Sequence, residues 1–393
     1  MKGLFILFHY STKSSASGGQ NIRFINGLIE NRGDIDIVTI GKDPKLSNRN
    51  IIEIKATPTS RLNSLILRVF PDLVNIPDLE IVFWTRKVIK TIESKIDIQN
   101  YDWIHTTGSP QSVHLIGKFI KKKYKLPWVA QFYDPWVDNN FKKLVFKISK
   151  KINLKLERQV ASNADLIIHT NEIIETVWKQ RYPEYQRKLK LLPLCTDPNI
   201  TPLQKNQKAY PLKIVHAGQI YGPRNLDTLI EAIKILKETE EDIEKKIQFQ
   251  LIGYISPTEK KKIQNNGFQN VMLVLGKMQY NEVLEYYKNA DILLLIDNLV
   301  ELNVFFPSKL CEYFSYQKPI IGIVPIKSTA YNHLKISNHT FVTPDNPMKL
   351  SKIIQRYMHD YDFSEQKFDK EYFRNFLPNK IASDYLKFIN ELK

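Results

Sequence analysis

Short apolar runs alternate with segments of helical period along almost the whole chain. Runs rich in Ile, Val, Leu, Phe and Trp read as strands at Gly3–Phe8, Asp36–Ile40, Ile51–Lys55, Trp103–Thr107, Trp128–Phe132, Leu166–Thr170 and Lys190–Leu194. Helical spacing fills Pro110–Lys123 and Lys142–Ser162 between them. A second series has strands at Leu212–Ala217, Ile247–Ile252, Val271–Leu275, Ile292–Ile296, Ile320–Val324 and Thr340–Thr343. Its helices include Asn225–Lys237, Tyr280–Lys288 and Ser308–Ser315. Strand and helix in alternation predict parallel sheets covered by helices on both faces. Two series predict two such domains, 1–200 and 201–377, joined by the polar, Pro-containing stretch Thr196–Pro211. A last helix, 378–393, is expected to join the first domain. Open parallel sheets bind ligands at the C-terminal ends of their strands. Two facing domains would place a ligand cleft between them.

Composition sharpens this picture. The 393 residues are 43% hydrophobic and 25% charged, enough apolar material for real cores and far from disorder or collagen. The two cysteines, Cys195 and Cys311, lie far apart inside apolar runs, as in a reducing compartment. No apolar run reaches the roughly 18 residues of a membrane span. The Gly3–Phe8 run is too short for a signal-peptide core. A cytoplasmic protein is expected. The formal net charge is +16, and residues 1–200 hold 31 basic and 19 acidic residues. Residues 118–158 alone hold 12 basic and 3 acidic. One domain therefore faces something anionic: nucleic acid, a membrane surface or a phosphorylated substrate.

Candidate chemistry lies at the strand ends. Gly18-Gly19 closes the loop after the first strand and leads to a predicted helix at Asn21, allowing backbone and free N–H groups to approach an anion. No G-x-G-x-x-G and no Walker lysine accompany it. His105 ends one strand, and Asp134, in Tyr133-Asp134-Pro135-Trp136, ends another, placed to orient a hydroxyl or to cap a helix. In the second series, the loop from Gly218 to Arg224 suits a diphosphate clamp. Gly253 and Gly276-Lys277-Met278 mark two further strand ends. Pro307-Ser308-Lys309 starts a helix with a lysine in its first turn, which opposes the helix dipole unless an anion is bound there. Glu312, one turn on from Ser308, suits a ribose. Metal-binding patterns are missing: no HExxH, no CxxC and no clustered His. Two D-x-D matches, at Asp34 and Asp360, read as solvated termini.

These residues resemble the family-4 retaining glycosyltransferases of the GT-B fold. The likeness rests on Gly18-Gly19, Asp134-Pro135-Trp136, Ala164–Thr170, the Gly218–Arg224 loop, Leu275–Met278 and Asn289–Leu293. It is most specific in Phe306-Pro307-Ser308-Lys309-Leu310-Cys311-Glu312-Tyr313 with Lys318-Pro319, a form resembling the branch that builds bacterial surface polysaccharides. The resemblance implies a retaining, metal-independent hexosyl transfer with no cofactor. The donor is a nucleotide-sugar, UDP- or GDP-linked, held by the C-terminal domain. The acceptor, a glycan or lipid-linked molecule, is held by the N-terminal domain. Glu312 matches the second Glu of the family's E-x7-E motif, which holds ribose. Arg224 resembles the basic residue that neutralises the leaving diphosphate, with Lys309 beside it. The backbone of Lys277 and Met278 matches positions meeting the base; Gly19 matches the loop near the sugar. Asp134 or His105 would orient the acceptor. The first motif Glu falls on Val304, so Glu301, Asn303 or the backbone around Phe306 must recognise the sugar instead. The family's Arg/Lys pair is also incomplete, with only Arg224 evident.

Between Phe141 and Arg158, apolar residues recur at helical spacing among Lys142, Lys143, Lys147, Lys150, Lys151 and Lys155. Such a basic amphipathic helix suits an anionic membrane surface at the inner face of the plasma membrane, with Trp136 and Lys142, Lys143 and Lys147 on that side. The same helix could instead pack its apolar stripe on the sheet. Two other readings compete: an epimerase or hydrolase of sugar nucleotides on the same fold, and a basic nucleic-acid-binding protein. No nucleic-acid motif is present, so nucleic acid is not expected as a partner.

Overall fold

A computed structural model describes residues 1–11, 16–41, 50–55, 82–108, 110–137, 147–200, 210–359 and 367–392. The chain divides into two compact units. Unit 1 comprises residues 1–197 and 375–393, and unit 2 comprises 198–374. Each is a parallel sheet with helices packed against it.

Unit 1 runs β1 (Lys2–Leu7), α1 (Ala16–Glu30), β2 (Asp34–Thr39), β3 (Ile51–Glu53), α2 (Val82–Lys95) and β4 (Trp103–Gly108). It continues through α3 (Val113–Tyr124), β5 (Trp128–Phe132), α4 (Lys147–Asn163), β6 (Leu166–His169), α5 (Glu172–Arg181) and β7 (Leu189–Leu191). The sheet order is β3-β2-β1-β4-β5-β6-β7, all parallel. The near-continuous apolar runs follow from helices covering both faces, which leaves no solvated side to alternate with. Asn171 caps α5 by accepting from the Ile173 and Ile174 N–H groups.

Unit 2 runs β8 (Leu212–Ala217), α6 (Asp227–Thr239), α7 (Ile243–Lys246), β9 (Ile247–Ile252), α8 (Pro257–Asn265), β10 (Met272–Gly276) and α9 (Tyr280–Asn289). Then come β11 (Ile292–Ile296), α10 (Lys309–Ser315), β12 (Ile320–Ile323), α11 (Thr329–Ile336), β13 (Thr340–Val342) and α12 (Pro347–His359). Its sheet order is β10-β9-β8-β11-β12-β13. The order reverses direction between β8 and β11, so the crevice at their C-terminal ends is the place where such a sheet receives a ligand. The equivalent reversal in unit 1 lies between β1 and β4.

The final helix α13 (Pro378–Asn390) returns to unit 1 and packs on α1. Gly27 of α1 makes this approach possible, since a Cβ there would overlap the Pro378 carbonyl. Ile381, Ala382, Tyr385 and Ile389 are buried, and each large apolar side chain contributes about 1.5–3 kcal/mol. A buried relay ties α13 to the sheet. The Trp103 indole N–H donates to the Tyr385 hydroxyl at 3.0 Å, and that hydroxyl lies 2.9 Å from His105 Nδ1. Gln131 Oε1, 3.1 Å from His105 Nε2, only accepts, so Nε2 carries the proton and Nδ1 accepts from the Tyr385 hydroxyl.

Among the described residues, no helix is long and apolar enough to cross a membrane, and no group of three or more His, Cys, Asp or Glu could hold a metal ion. The relay predicts that Tyr385→Phe leaves the Trp103 indole N–H and His105 Nδ1 without a buried partner. It should lower unfolding stability by about 1–3 kcal/mol. Urea unfolding followed by tryptophan fluorescence checks this, with an unchanged midpoint speaking against it.

Candidate active site

Three strand ends of unit 2 form a ladder of bare backbone. Gly218, after β8, donates its N–H to the Ile252 carbonyl at 2.8 Å; Gly253, after β9, donates to the Gly276 carbonyl at 2.7 Å. Gly253 has φ +119° and Gly276 φ +77°, conformations that L side chains rarely adopt. A Cβ on Gly253 would also overlap the Gly218 carbonyl. Lys277 is exposed and Met278 half-buried just beyond this ladder.

Above it sits a group of charges. His216, near the end of β8, is fully buried, with Nδ1 3.0 Å from the Leu294 carbonyl of β11. A carbonyl only accepts, so Nδ1 carries the proton and Nε2 presents a lone pair. The Lys309 ammonium, from the first residue of α10, lies 3.5 Å from that Nε2. It passes directly over Gly218, where a Cβ would collide with it. Arg224 donates from Nη1 to the Gln219 carbonyl at 3.0 Å, while its buried Nε has no partner. Asp297, after β11, is 1% exposed and accepts from the Asn298 N–H at 2.8 Å. Glu312, one turn into α10, is buried and accepts from the Tyr280 hydroxyl at 2.9 Å. Tyr313 donates to the Leu294 carbonyl at 3.1 Å. Ser308, ahead of α10, is half-buried and makes no side-chain cap.

Burial, then the Arg224 charge, pushes Lys309 well below the ordinary lysine range, although Asp297 and Glu312 oppose this. Burial likewise lowers Arg224. Burial raises Asp297 despite the Asn298 N–H, Arg224, Asn303 and Lys309, which favour its charged form. Burial, Lys309 and Arg224 hold His216 well below its usual value, hence neutral. Shifted groups gathered at a switch point mark a functional site. Two half-buried, partly desolvated cations here gain charge stabilisation from an arriving anion.

Unit 1 carries the other expected residues, and several expectations are corrected. Gly18 and Gly19 lie inside the first turns of α1, not in a loop ahead of it; a Cβ on Gly19 would meet open space. His105 is wholly buried, stacked on Phe5 with centroids 4.4 Å apart, and both ring nitrogens are engaged. Burial pushes it down to about 3. It is a neutral core residue, which leaves Asp134 as the one candidate of the pair for orienting an acceptor. Asp134 is partly exposed after β5, and its carbonyl accepts from Gln111 at 3.2 Å. Trp136 is 4% exposed and donates to Asn153 Oδ1 at 2.7 Å, so it supports α4 and does not face an acceptor or membrane. Lys142 and Lys143 lie outside the described residues. Lys147 is exposed at the start of α4.

The buried stripe of α4 is also not the expected one. Ser149, Asn153, Glu157, Val160 and Ala161 face inward, while Ile148 is 66% exposed. Polar partners explain the rotation: Asn153 meets Trp136, and Glu157 accepts from Arg181 at 2.8 Å and Tyr182 at 3.0 Å.

Residues 201–372 match the family model of glycosyl transferases group 1. In structure the chain is similar to a sucrose-phosphate synthase from Thermosynechococcus elongatus at 15% identity, covering 100% of this chain and 99% of that one with a TM-score of 0.69. It is similar to Anabaena Alr3699/HepE in complex with UDP at 14% identity, covering 100% and 98%, TM-score 0.62. The lipopolysaccharide outer core galactosyltransferase WaaB gives 15% identity, 100% and 99% coverage and a TM-score of 0.61. No protein of curated function matches the chain in sequence. The chain is a glycosyltransferase of the GT-B fold. In this transferase, Val304, standing where the family motif has Glu, is 2% exposed. Glu301 is out in solvent beside Lys327 at 3.3 Å, so it does not replace that Glu. Asn303 is fully buried and stabilises the Asp297 charge.

Sequence reasoning missed His216, Asp297 and Tyr280. Asp297 carried a usable signal: like Asp134, it ends an apolar strand on a carboxylate. His216 and Tyr280 carried none, since only the fold brings them to Lys309 and Glu312.

Lys309→Met should remove the ammonium that lies over Gly218 while keeping the side chain's length and the backbone as it is. A loss of about tenfold in kcat/KM is expected, near 1.4 kcal/mol of lost anion stabilisation, with the melting temperature nearly unchanged. Wild-type kinetics in this variant would dissociate Lys309 from the site.

Proposed function

We propose that the enzyme moves a sugar from a nucleotide-sugar donor, with retention of configuration, to a glycan or lipid-linked acceptor in cell-surface polysaccharide synthesis. One observation carries the donor reading: Lys309 and Arg224, desolvated over a glycine-lined strand end at the switch point, with Glu312 beside them. The hard step is departure of a nucleoside diphosphate. Preorganised cations stabilise the charge that develops on it, and in a water-poor site they act with little reorganisation. Glu312, oriented by Tyr280, takes the vicinal ribose hydroxyls. The base lies against the backbone at Gly253, Gly276 and Met278. UDP is the preferred nucleotide in this reading, supported by the UDP complex of the Anabaena relative. No residue of unit 2 is assigned as a nucleophile; the acceptor attacks on the face the diphosphate leaves, and Asp134 orients its hydroxyl. Charge neutralisation by two side chains makes an added divalent metal unnecessary, so chelation should leave the rate unchanged.

The membrane reading rests on α4. Lys147, Ile148, Lys150, Lys151, Lys155 and Arg158 line its exposed side. An exposed isoleucine among lysines suits anionic headgroups, each nearby Lys or Arg contributing about 1 kcal/mol. In this reading the enzyme works peripherally at the cytoplasmic face, near a lipid-borne acceptor.

Thermal-shift screening of UDP-, GDP-, CMP- and dTDP-sugars should single out one nucleotide, with a stabilisation of about 2.7 kcal/mol at a hundredfold excess over Kd. Arg224→Ala and Glu312→Ala should each lower kcat/KM for transfer by roughly a hundredfold or more. Near wild-type values in both would refute the site. Detection of a glycosylated acceptor separates transfer from epimerisation or hydrolysis. Absence of binding to anionic vesicles at low salt would remove the membrane reading.

A further inference from the structure

We propose that His216 is a positioning residue for donor binding: its Nε2 lone pair draws the Lys309 ammonium across Gly218, where it meets the diphosphate. The proposal rests on the donor reading above and adds a residue to it. The Leu294 carbonyl fixes the ring as the Nδ1–H tautomer and pins it in the core. The far nitrogen is therefore an acceptor, 3.5 Å from a group with only donors.

The other groups facing Lys309 show why a neutral acceptor matters. Arg224, on the loop after β8, repels it, while Asp297 after β11 and Glu312 on α10 attract it. Tyr313 on α10 is committed to Leu294, and Tyr280 on α9 to Glu312. Left to these fields, a flexible lysine turns to a carboxylate and its charge is spent there. His216 holds the ammonium on the Gly218 side without neutralising it, so the charge stays available to an anion. The missing Cβ at Gly218, whose space the ammonium takes, is the second half of the same device. Burial lowers the proton affinity of Lys309, and an arriving anion raises it again.

Calorimetric titration of the full-length enzyme with UDP, GDP, CDP and dTDP tests this. The titrations are run at about pH 8.5, above the diphosphate's last ionisation and below the ordinary lysine range. In two buffers of different ionisation enthalpy, the wild type should show net proton uptake on binding, and Lys309→Met should show none. His216→Asn keeps a donor for Leu294 but loses the far acceptor; it should weaken binding roughly tenfold. His216→Gln, whose amide oxygen reaches the Nε2 position, should stay within about threefold. Buffer-independent enthalpies in the wild type overturn the proposal. So do equal losses in both His216 variants that track a lowered melting temperature. Failure of every nucleoside diphosphate to bind the wild type overturns the donor reading as well.

Discussion

Lys309 and Arg224 are half-buried and partly desolvated, at the start of α10 and after β8, and the rest of unit 2 is arranged around the cost of this. Asp297 and Glu312 recover part of that, but burial still depresses Lys309. A buried charge survives only with partners or with a ligand. Here the partners are incomplete by design of the fold. His216 is neutral, Arg224 Nε is unpartnered, and Glu312 is occupied by Tyr280. The site is thus most stable with an anion in it, which turns a folding liability into binding energy.

The backbone makes this arrangement reachable. The reversal of strand order between β8 and β11 opens a crevice that helix packing would otherwise fill. Glycine at three successive strand ends removes the side chains that would close it. The hydrogen bonds from Gly218 to Ile252 and from Gly253 to Gly276 keep those ends in register, so the ladder is a rigid floor. Leu294 contributes through its carbonyl alone, accepting from both His216 and Tyr313. That one acceptor fixes the ring beneath Lys309 and the helix that carries Lys309 itself.

Much of the architecture is legible in the sequence because the buried strands have no polar alternation to confuse the pattern. The strands at Trp128–Phe132, Leu212–Ala217, Ile247–Ile252 and Ile292–Ile296 coincide with the structure residue for residue. Side-chain direction is less legible. The apolar spacing of α4 implied an inward stripe through Ile148, yet Trp136 and Arg181 turn Asn153 and Glu157 inward instead. His105 looked like a strand-end ligand because the strand's C-terminal limit was placed one residue early and its neighbours Phe5 and Tyr385 come from distant segments. The pairing of Lys309 with Gly218 spans 91 positions and leaves no local trace. Long-range contact decides both cases, and a single chain's periodicity does not encode it.

The positive charge of this chain is of two physical kinds. The lysines exposed on α4 act through water, where screening over about 8 Å makes each weak and only their number matters. They suit a surface that is itself a field of charges. Lys309 and Arg224 act across a few ångströms in a poorly solvated site, where geometry matters and number does not. A surplus of +16 therefore says little on its own. Removing one lysine from α4 leaves its neighbours to hold the same field, whereas moving one ammonium off Gly218 leaves Arg224 alone to meet an anion there.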